Sequence, residues 1–480
     1  MRDLRKKILL ESGKTVSRKA RSRPESDRGS PAASPAPSRP SSRAPSRYAS
    51  EDEDFSDSEY ADSIASSAIN SDENDDAAAG TPWTDKLKDR IAELLDRKRS
   101  SAKGRETTLN AYAHLIRYHY AGDQVEDQFN ELVPALLKSV RGGANHEETV
   151  AGLKALTMTI LSAQSESVYD QVWNSLKGAC EDSDEETVKV EAIEAMSIAA
   201  MCGGGSVEGA EELLDFLIEI IESDGQSVGA PDNGNVVSAA LNAWGFVASH
   251  LEDLQDQSEQ ALEAFTDQLD STDVAVQIGA GSNIALLFET AREYDKESAG
   301  SEDGAPTSSW DMQYDQHKLV QRMTALTKES SKTISKKDRK QLHASFNSVL
   351  TSLERGKGPG YSTARRQGAN PHAGGSAART DFSTDGEPPD AGEYGYRERV
   401  RVHNISITID TWSLAARVEM LRSVLGGGLA AHYAENPAVR DLLSSAHIEF
   451  VSGGSKNGHN SSPSSKKNRG PKAGRSVAGL

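Results

Sequence analysis

Five short stretches of the chain repeat one arrangement: an aliphatic side chain, any residue, an alanine, then usually a bulky apolar residue. They are Leu109 to Tyr112, Leu153 to Leu156, Ile193 to Met196, Leu241 to Trp244 and, more weakly, Ile278 to Gly281, with spacings of 44, 40, 48 and 37 residues. A period near 40 built from helical segments marks HEAT- or armadillo-type helix pairs. The small alanine lets two helices approach closely, and the apolar residues around it fill the stripe that faces the next repeat. The pattern predicts helices over 107–120 and 127–140, 147–163 and 167–179, 186–201 and 207–221, and 236–251 and 258–269, with 274–291 opening a last pair. Order begins near Trp83, where Leu87, Ile91, Leu94 and Leu95 fall at helical spacing. Breakers separate the segments at Gly142-Gly143, at Gly203-Gly204-Gly205 and between Gly229 and Gly234. Gly279 and Gly281 lie inside a helical pattern and predict tight packing or a kink.

Beyond a polar loop at 297–309, the apolar spacing predicts a helix over 316–329. A second follows, with Ser335 opening a capping box and Leu342, Phe346, Val349, Leu350 and Leu353 on one face. The Gly/Pro/Ser/Arg-rich stretch 356–393 reads as a flexible linker between domains. In 394–450, Val400, Val402, Ile405, Ile407 and Ile409 predict one or two short strands with a turn near His403-Asn404. Thr411 is placed to cap a helix that Gly426-Gly427-Gly428 interrupts, and Asn436-Pro437 opens a last helix. The fold expected is mainly α: a HEAT/armadillo-like array over 83–355, a small α+β C-terminal module over 394–450, and disordered charged tails at 1–80 and 451–480.

Composition agrees with that division. Apolar residues make up 36% of the 480 and aromatics 5%, low for a chain folded throughout. Cys180 and Cys202 form no disulfide framework or metal motif and read as small buried hydrophobes in a reducing compartment. No apolar run approaches the ~18 residues of a membrane span, and the basic start of the chain is not a signal peptide. The place expected is cytoplasm, nucleus or both. Candidate chemistry is sparse. Gly13-Lys14-Thr15 lacks the first glycine of a phosphate loop, and the glycine-rich 356–360 leads into a linker instead of a helix. The carboxylates Glu181, Asp182, Asp184, Glu185 and Glu186 lack the turn glycine and spacing of a calcium loop, and predict a helix N-terminus favoured by acids. The eleven histidines form no ligand pair. The expectation is a protein without catalytic residues, cofactor, metal or small-molecule substrate.

Charge changes the picture more. Residues 1–47 carry 13 Lys/Arg against 4 Asp/Glu, whereas 51–76 carry 11 acidic residues and no basic one. Ser56 and Ser58 within that tract suit an acid-directed kinase; a merely solvating tract is the other reading. Residues 181–291 hold 24 Asp/Glu and one basic residue, Lys189. This stretch is either a self-repelling soluble surface or a docking face for protein partners with basic segments, and it repels phosphate backbones. The cations gather elsewhere, at Lys332, Lys336, Lys337, Arg339 and Lys340, with Arg355 extending the run. Positive charge at a helix N-terminus opposes the dipole by roughly 0.3–1 kcal/mol each. Such a cluster points to an outside anion such as RNA phosphate, or to pairing with the acidic repeats. Lys466, Lys467 and Arg469 are a candidate nuclear import signal.

Ser335-Lys336-Lys337-Asp338-Arg339-Lys340-Gln341, with Ser345-Phe346 and Val349-Leu350 following, resembles the hallmark that ends the N-terminal domain of the interferon-related developmental regulator family. Ile409-Asp410-Thr411-Trp412, then Val424-Leu425-Gly426 and His432, resembles that family's C-terminal domain, and the opening Met1 to Lys7 is similar to fungal members. The third glycine of Gly426-Gly427-Gly428 departs from the family pattern. The resemblance implies an armadillo-like, non-catalytic regulator of gene expression. Two roles go with it: binding to ribosomes that are not translating, and nuclear transcriptional co-regulation through protein contacts. The leading expectation is docking on a large ribonucleoprotein, the ribosome with its rRNA, through the basic cluster; the alternative is the co-regulator.

Overall fold

The computed structural model describes residues 82–97, 100–163, 165–299, 310, 316–329, 335–361, 398–402 and 404–450. Both charged tails, Ser56 and Ser58, Gly13-Lys14-Thr15, Lys332, the import candidates Lys466, Lys467 and Arg469, and most of the 356–393 and 297–309 stretches lie outside them.

The array begins with α1 (Trp83–Leu95), α2 (Ala102–Tyr118), a short α3 (Gly122–Glu126) and α4 (Phe129–Gly142). It continues through α5 (His146–Ser162), α6 (Val168–Asp182), α7 (Glu186–Cys202), α8 (Val207–Glu222), α9 (Gly234–Ala248), α10 (Gln255–Gln268) and α11 (Val274–Ala299). It ends with α12 (Gln316–Glu329) and α13 (Lys336–Arg355). The helices stack in two layers. One is α2, α5, α7, α9, α11 and α13, each packed on the next; the other holds α1, α4, α6, α8, α10 and α12 on the opposite side.

Each of the five repeated stretches falls on a helix of the first layer, and Ala155, Ala195, Ala243 and Ala280 are completely buried. That layer has neighbours on nearly every side. Its middle helices are therefore apolar almost all round: in α9, eleven residues from Val236 to Ala248 are buried. The second layer has one solvent face, and α8 and α10 are amphipathic to match. Helix α11 runs unbroken through Gly279 and Gly281 to Ala299. An added Cβ would lie 3.2 Å from the Leu241 Cβ at the first and 3.3 Å from the Phe346 ring at the second, so close packing explains both glycines. By length and composition Val274–Lys296 could cross a membrane, but it is packed between α9 and α13 as a core helix.

Buried polar groups tie neighbouring helices together. Tyr112 bonds Thr159 through its hydroxyl at 2.8 Å, and Asn283 Nδ2 donates to the Leu241 carbonyl at 2.8 Å. Near the start of the array the Glu148 carboxylate, with no exposed surface, receives Arg105 through Nε and Nη2, both at 2.7 Å, and Arg97 at 3.0 Å. Burial pushes that carboxyl up, but the Arg105 fork, the Ala144 N–H and Ser139 bring it below the usual carboxylate range.

The C-terminal module has three strands, one more than the apolar alternation suggests. β1 (Arg399–Val402) and β2 (Ile405–Thr408) form a hairpin, and β3 (His447–Phe450) adds antiparallel to β2 in the order β1-β2-β3. Between them lie α14 (Trp412–Leu425), a 3-10 turn at Gly426–Gly428, α15 (Leu429–Glu435) and α16 (Pro437–Leu442). Thr411 accepts from the Leu414 N–H, and Asn436 accepts from Ala438 ahead of Pro437 at the first helical position. At Gly428 an added Cβ would sit 1.7 Å from the Arg117 carbonyl oxygen. The third glycine is thus a contact with α2, as well as the interruption expected.

The first residues of the expected linker are packed. Gly356, at φ 64°, closes α13 in the left-handed conformation. An added Cβ at Gly358 would lie 1.8 Å from the Asp410 carbonyl oxygen, and one at Gly360 would lie 2.5 Å from the Glu398 Cβ. The chain therefore leaves the described structure at Tyr361 and returns at Glu398 in the same place.

Candidate functional site

Two groups of surfaces and one seam come out of this architecture. The seam is the docking of the C-terminal module on the first layer. Helix α14 starts over α11 and α13, where the Glu289 carboxylate accepts the Trp412 N–H at 2.8 Å and the Ser413 N–H at 3.0 Å. The Trp412 indole N–H donates to Ser352 of α13 at 3.0 Å. Farther along, Arg417 Nε donates to the Ser249 hydroxyl at 3.1 Å, and Ser423 bonds Glu194 of α7. Arg117 of α2 donates through Nε to the Val424 carbonyl at 3.0 Å. His432 bonds the Ile116 carbonyl at 2.8 Å, and Asn436 Nδ2 donates to the Leu161 carbonyl of α5 at 2.9 Å. The module so crosses the array from its last repeat to its first.

Burial shapes the charges along this seam. It pushes the Glu289 carboxyl up to about 7, against the two N–H groups it accepts. Burial, with Glu191 beside it, pushes Glu194 up to about 7. It pushes His250 down to about 4, with Arg417 adding to the effect. Eight apolar side chains from Trp412 to Leu429 are buried. The first layer is covered where the module lies on it, and the second layer and the ends of the array face outward.

The second layer is where the acidity shows. Glu208, Glu212, Asp215, Glu219 and Glu222 line the exposed side of α8, and Asp256, Glu259, Glu263 and Asp267 that of α10, its packed neighbour. Lys189, the single basic residue of 181–291, offsets none of this: it is 1% exposed and donates Nζ to the Cys180 and Val228 carbonyls. Glu181, Asp182, Asp184, Glu185 and Glu186 stand exposed at the turn from α6 to α7. The expected capping is limited to position in the first turn. Glu185, the residue before α7, makes no side-chain cap bond, while Glu186 accepts from Asn233 at 2.7 Å and Asn235 at 3.0 Å, joining one repeat to the next. No group of three metal-ligating side chains occurs among the described residues.

The cations take the far end. Ser335 caps α13 by accepting the Asp338 N–H at 3.1 Å. Lys336, Lys337 and Lys340 are exposed on the first turns, with Arg339 half-buried. Arg355 does not join them. It is exposed at the other end of the same helix, about 28 Å away at 1.5 Å per residue.

The seam residues Arg117, Glu289, Ser352 and Arg417 are not legible as functional in the sequence. Glu289 is a carboxylate directly after the apolar run Ile284 to Phe288, the one local sign that something polar must meet it.

Fold and surfaces together define a helical-repeat protein, with its C-terminal module docked in cis and opposite charges displayed at separate places. Comparison with known proteins places it more narrowly. The interferon-related developmental regulator profile matches residues 54–354, and the chain belongs to that regulatory family. An uncharacterized protein of Schizosaccharomyces pombe is 28% identical over 367 residues, 75% of this chain and 74% of that protein. Interferon-related developmental regulator 1 of Sus scrofa is 22% identical over 377 residues, 75% of this chain and 70% of that protein.

Proposed function

We propose that this protein is a non-enzymatic scaffold that regulates gene expression by docking on a large ribonucleoprotein, the non-translating ribosome. The basic end of α13 meets RNA phosphate, and the acidic second layer meets basic protein segments. The observation that carries this reading is the exposed group Lys336, Lys337 and Lys340 on the turns of α13 where the helix dipole disfavours cations. An outside polyanion offsets that cost, and counterion release supplies binding free energy. The closed layer under the module is consistent with it, since contact then falls to the charged exterior.

The test is sedimentation of tagged protein from cell lysate through a sucrose gradient at low and moderate salt. Co-migration with ribosomal particles, weakened by salt, is expected. The quadruple change Lys336→Glu, Lys337→Glu, Arg339→Glu and Lys340→Glu should release the protein while leaving it folded, because acids suit a helix N-terminus. Unchanged co-migration removes this cluster from the account. Migration as a small, ribonuclease-indifferent complex, with nuclear enrichment, favours the second reading, a nuclear co-regulator with protein partners only; the cation-free surface of α8 and α10 supports that reading.

A further inference from the structure

Helix α13 carries cations at both ends, and its second end is not built by the helix alone. Arg355 is exposed at the last turn, and Lys357 follows Gly356 with Nζ 5.2 Å from the centre of the Tyr361 ring. Gly358 and Gly360 press this segment against Asp410 and Glu398, where no larger residue fits. The Ile409 N–H donates to the Glu398 carbonyl at 3.0 Å, which locks the start of β1 to the end of β2. Arg399 and Arg401, the next exposed cations, point to the solvent side of β1 opposite Thr408 and Ser406 of β2. The other side of the hairpin buries Val402, Ile405 and Ile407. Three separate stretches of chain thus converge on one place, where four cations stand among the carboxylates of Glu354, Glu398, Asp410 and, across Ser406 on β3, Glu449.

We propose that Arg355, Lys357, Arg399 and Arg401 form a second RNA-phosphate contact, which with the first turns of α13 makes a two-point footprint along one helix. The inference rests on the ribonucleoprotein reading and extends it to the C-terminal module. Each part has an ordinary explanation alone: a cation at a helix C-terminus suits the dipole, and charged residues protect an edge strand. Neither explains why the linker glycines hold the segment carrying Lys357 against Asp410 and Glu398, at the end of the hairpin that bears the two arginines. Alternate residues of a strand stand about 7 Å apart on one face. Two guanidinium forks on that face, with Ser and Thr residues opposite them on β2, suit consecutive phosphates better than a lysine pair would. The roughly 28 Å between the two ends calls for an extended polyanion, which single-stranded RNA is.

The test is fluorescence anisotropy of the full chain with a labelled single-stranded oligouridylate across a salt series. The Arg399→Gln/Arg401→Gln protein, shown folded by its melting curve, should bind more weakly. The slope of log K against log salt should fall by about 1.4, near 0.7 per lost phosphate contact. Arg399→Lys/Arg401→Lys should keep most of that slope. Lys336→Gln/Lys337→Gln should lower it separately, and the two pairs should add. If the α13 pair lowers the slope and the β1 pair leaves it unchanged, the second contact is wrong and the ribonucleoprotein reading stands. If neither pair matters, the RNA reading of the α13 cluster fails as well. Displacement of the RNA by polyglutamate at equal charge concentration would show a general anion surface and overturn the assignment to RNA.

Discussion

Replacing Glu289 by glutamine tests how the module is held to the array. The carboxylate satisfies two N–H groups at the start of α14, at 2.8 and 3.0 Å. Glutamine keeps one acceptor oxygen there and removes the ionisation. The folded-state carboxyl titrates at about 7 instead of 4.5, so between those values the native protein binds the extra proton. The stability linked to that proton is fully present below 4.5 and is lost as pH rises through 7. A shift of this size corresponds to about 3 kcal/mol, to which Glu289→Gln is blind. Glutamine resembles the protonated carboxyl, which likewise offers one carbonyl oxygen to the two N–H groups. The variant should therefore be close to wild type in stability at pH 5 and more stable than it at pH 8, by about 2–3 kcal/mol. Glu194 and His250 titrate in both proteins and cancel in the difference. Equilibrium urea unfolding at the two pH values, followed by tryptophan fluorescence, measures it. Parallel pH profiles for the two proteins would refute the reasoning, because Glu289 would then be no more protonated in the folded state than in the unfolded one.

Gly428→Ala should cost about 3 kcal/mol or more, since the new Cβ lands 1.7 Å from the Arg117 carbonyl oxygen and backbone must move. Gly142→Ala, with nothing within 4 Å of the added carbon, should be neutral or stabilise by up to about 1 kcal/mol; thermal melts of the pair make the comparison. Because Tyr361 and Glu398 mark one place of exit and return, replacing residues 362–397 with about six Gly/Ser residues should leave the module docked. Loop closure alone would then favour the folded state by about 1.5 kcal/mol, read from the same melts; a loss of stability would mean that this stretch holds the module in place.

Much of the array was legible because its signals are local. The alanine-centred stretches mark one layer, and a helix enclosed by neighbours must be apolar all round whatever those neighbours are. Ser335, Thr411 and Asn436 announce helix starts because a capping side chain reaches only two or three residues ahead. The strand at His447–Phe450 was harder: four residues, exposed at both ends and half-buried between, give no alternation until β2 supplies the partner. The acidic and basic segments are likewise evident from residue counts, but counts do not show that Lys189 is buried or that Arg355 lies a full helix length from Lys336.

By itself, then, the sequence determined the repeat, its two kinds of helix, the caps and the segregation of charge, all of which follow from side chains acting on near neighbours. Tertiary structure alone decided that the module lies across the first layer, with Arg117 meeting Val424, Glu289 meeting Trp412 and His432 meeting Ile116. Those partners are more than a hundred residues apart. Each contact is worth having only when the others are already in place, so no local pattern encodes it.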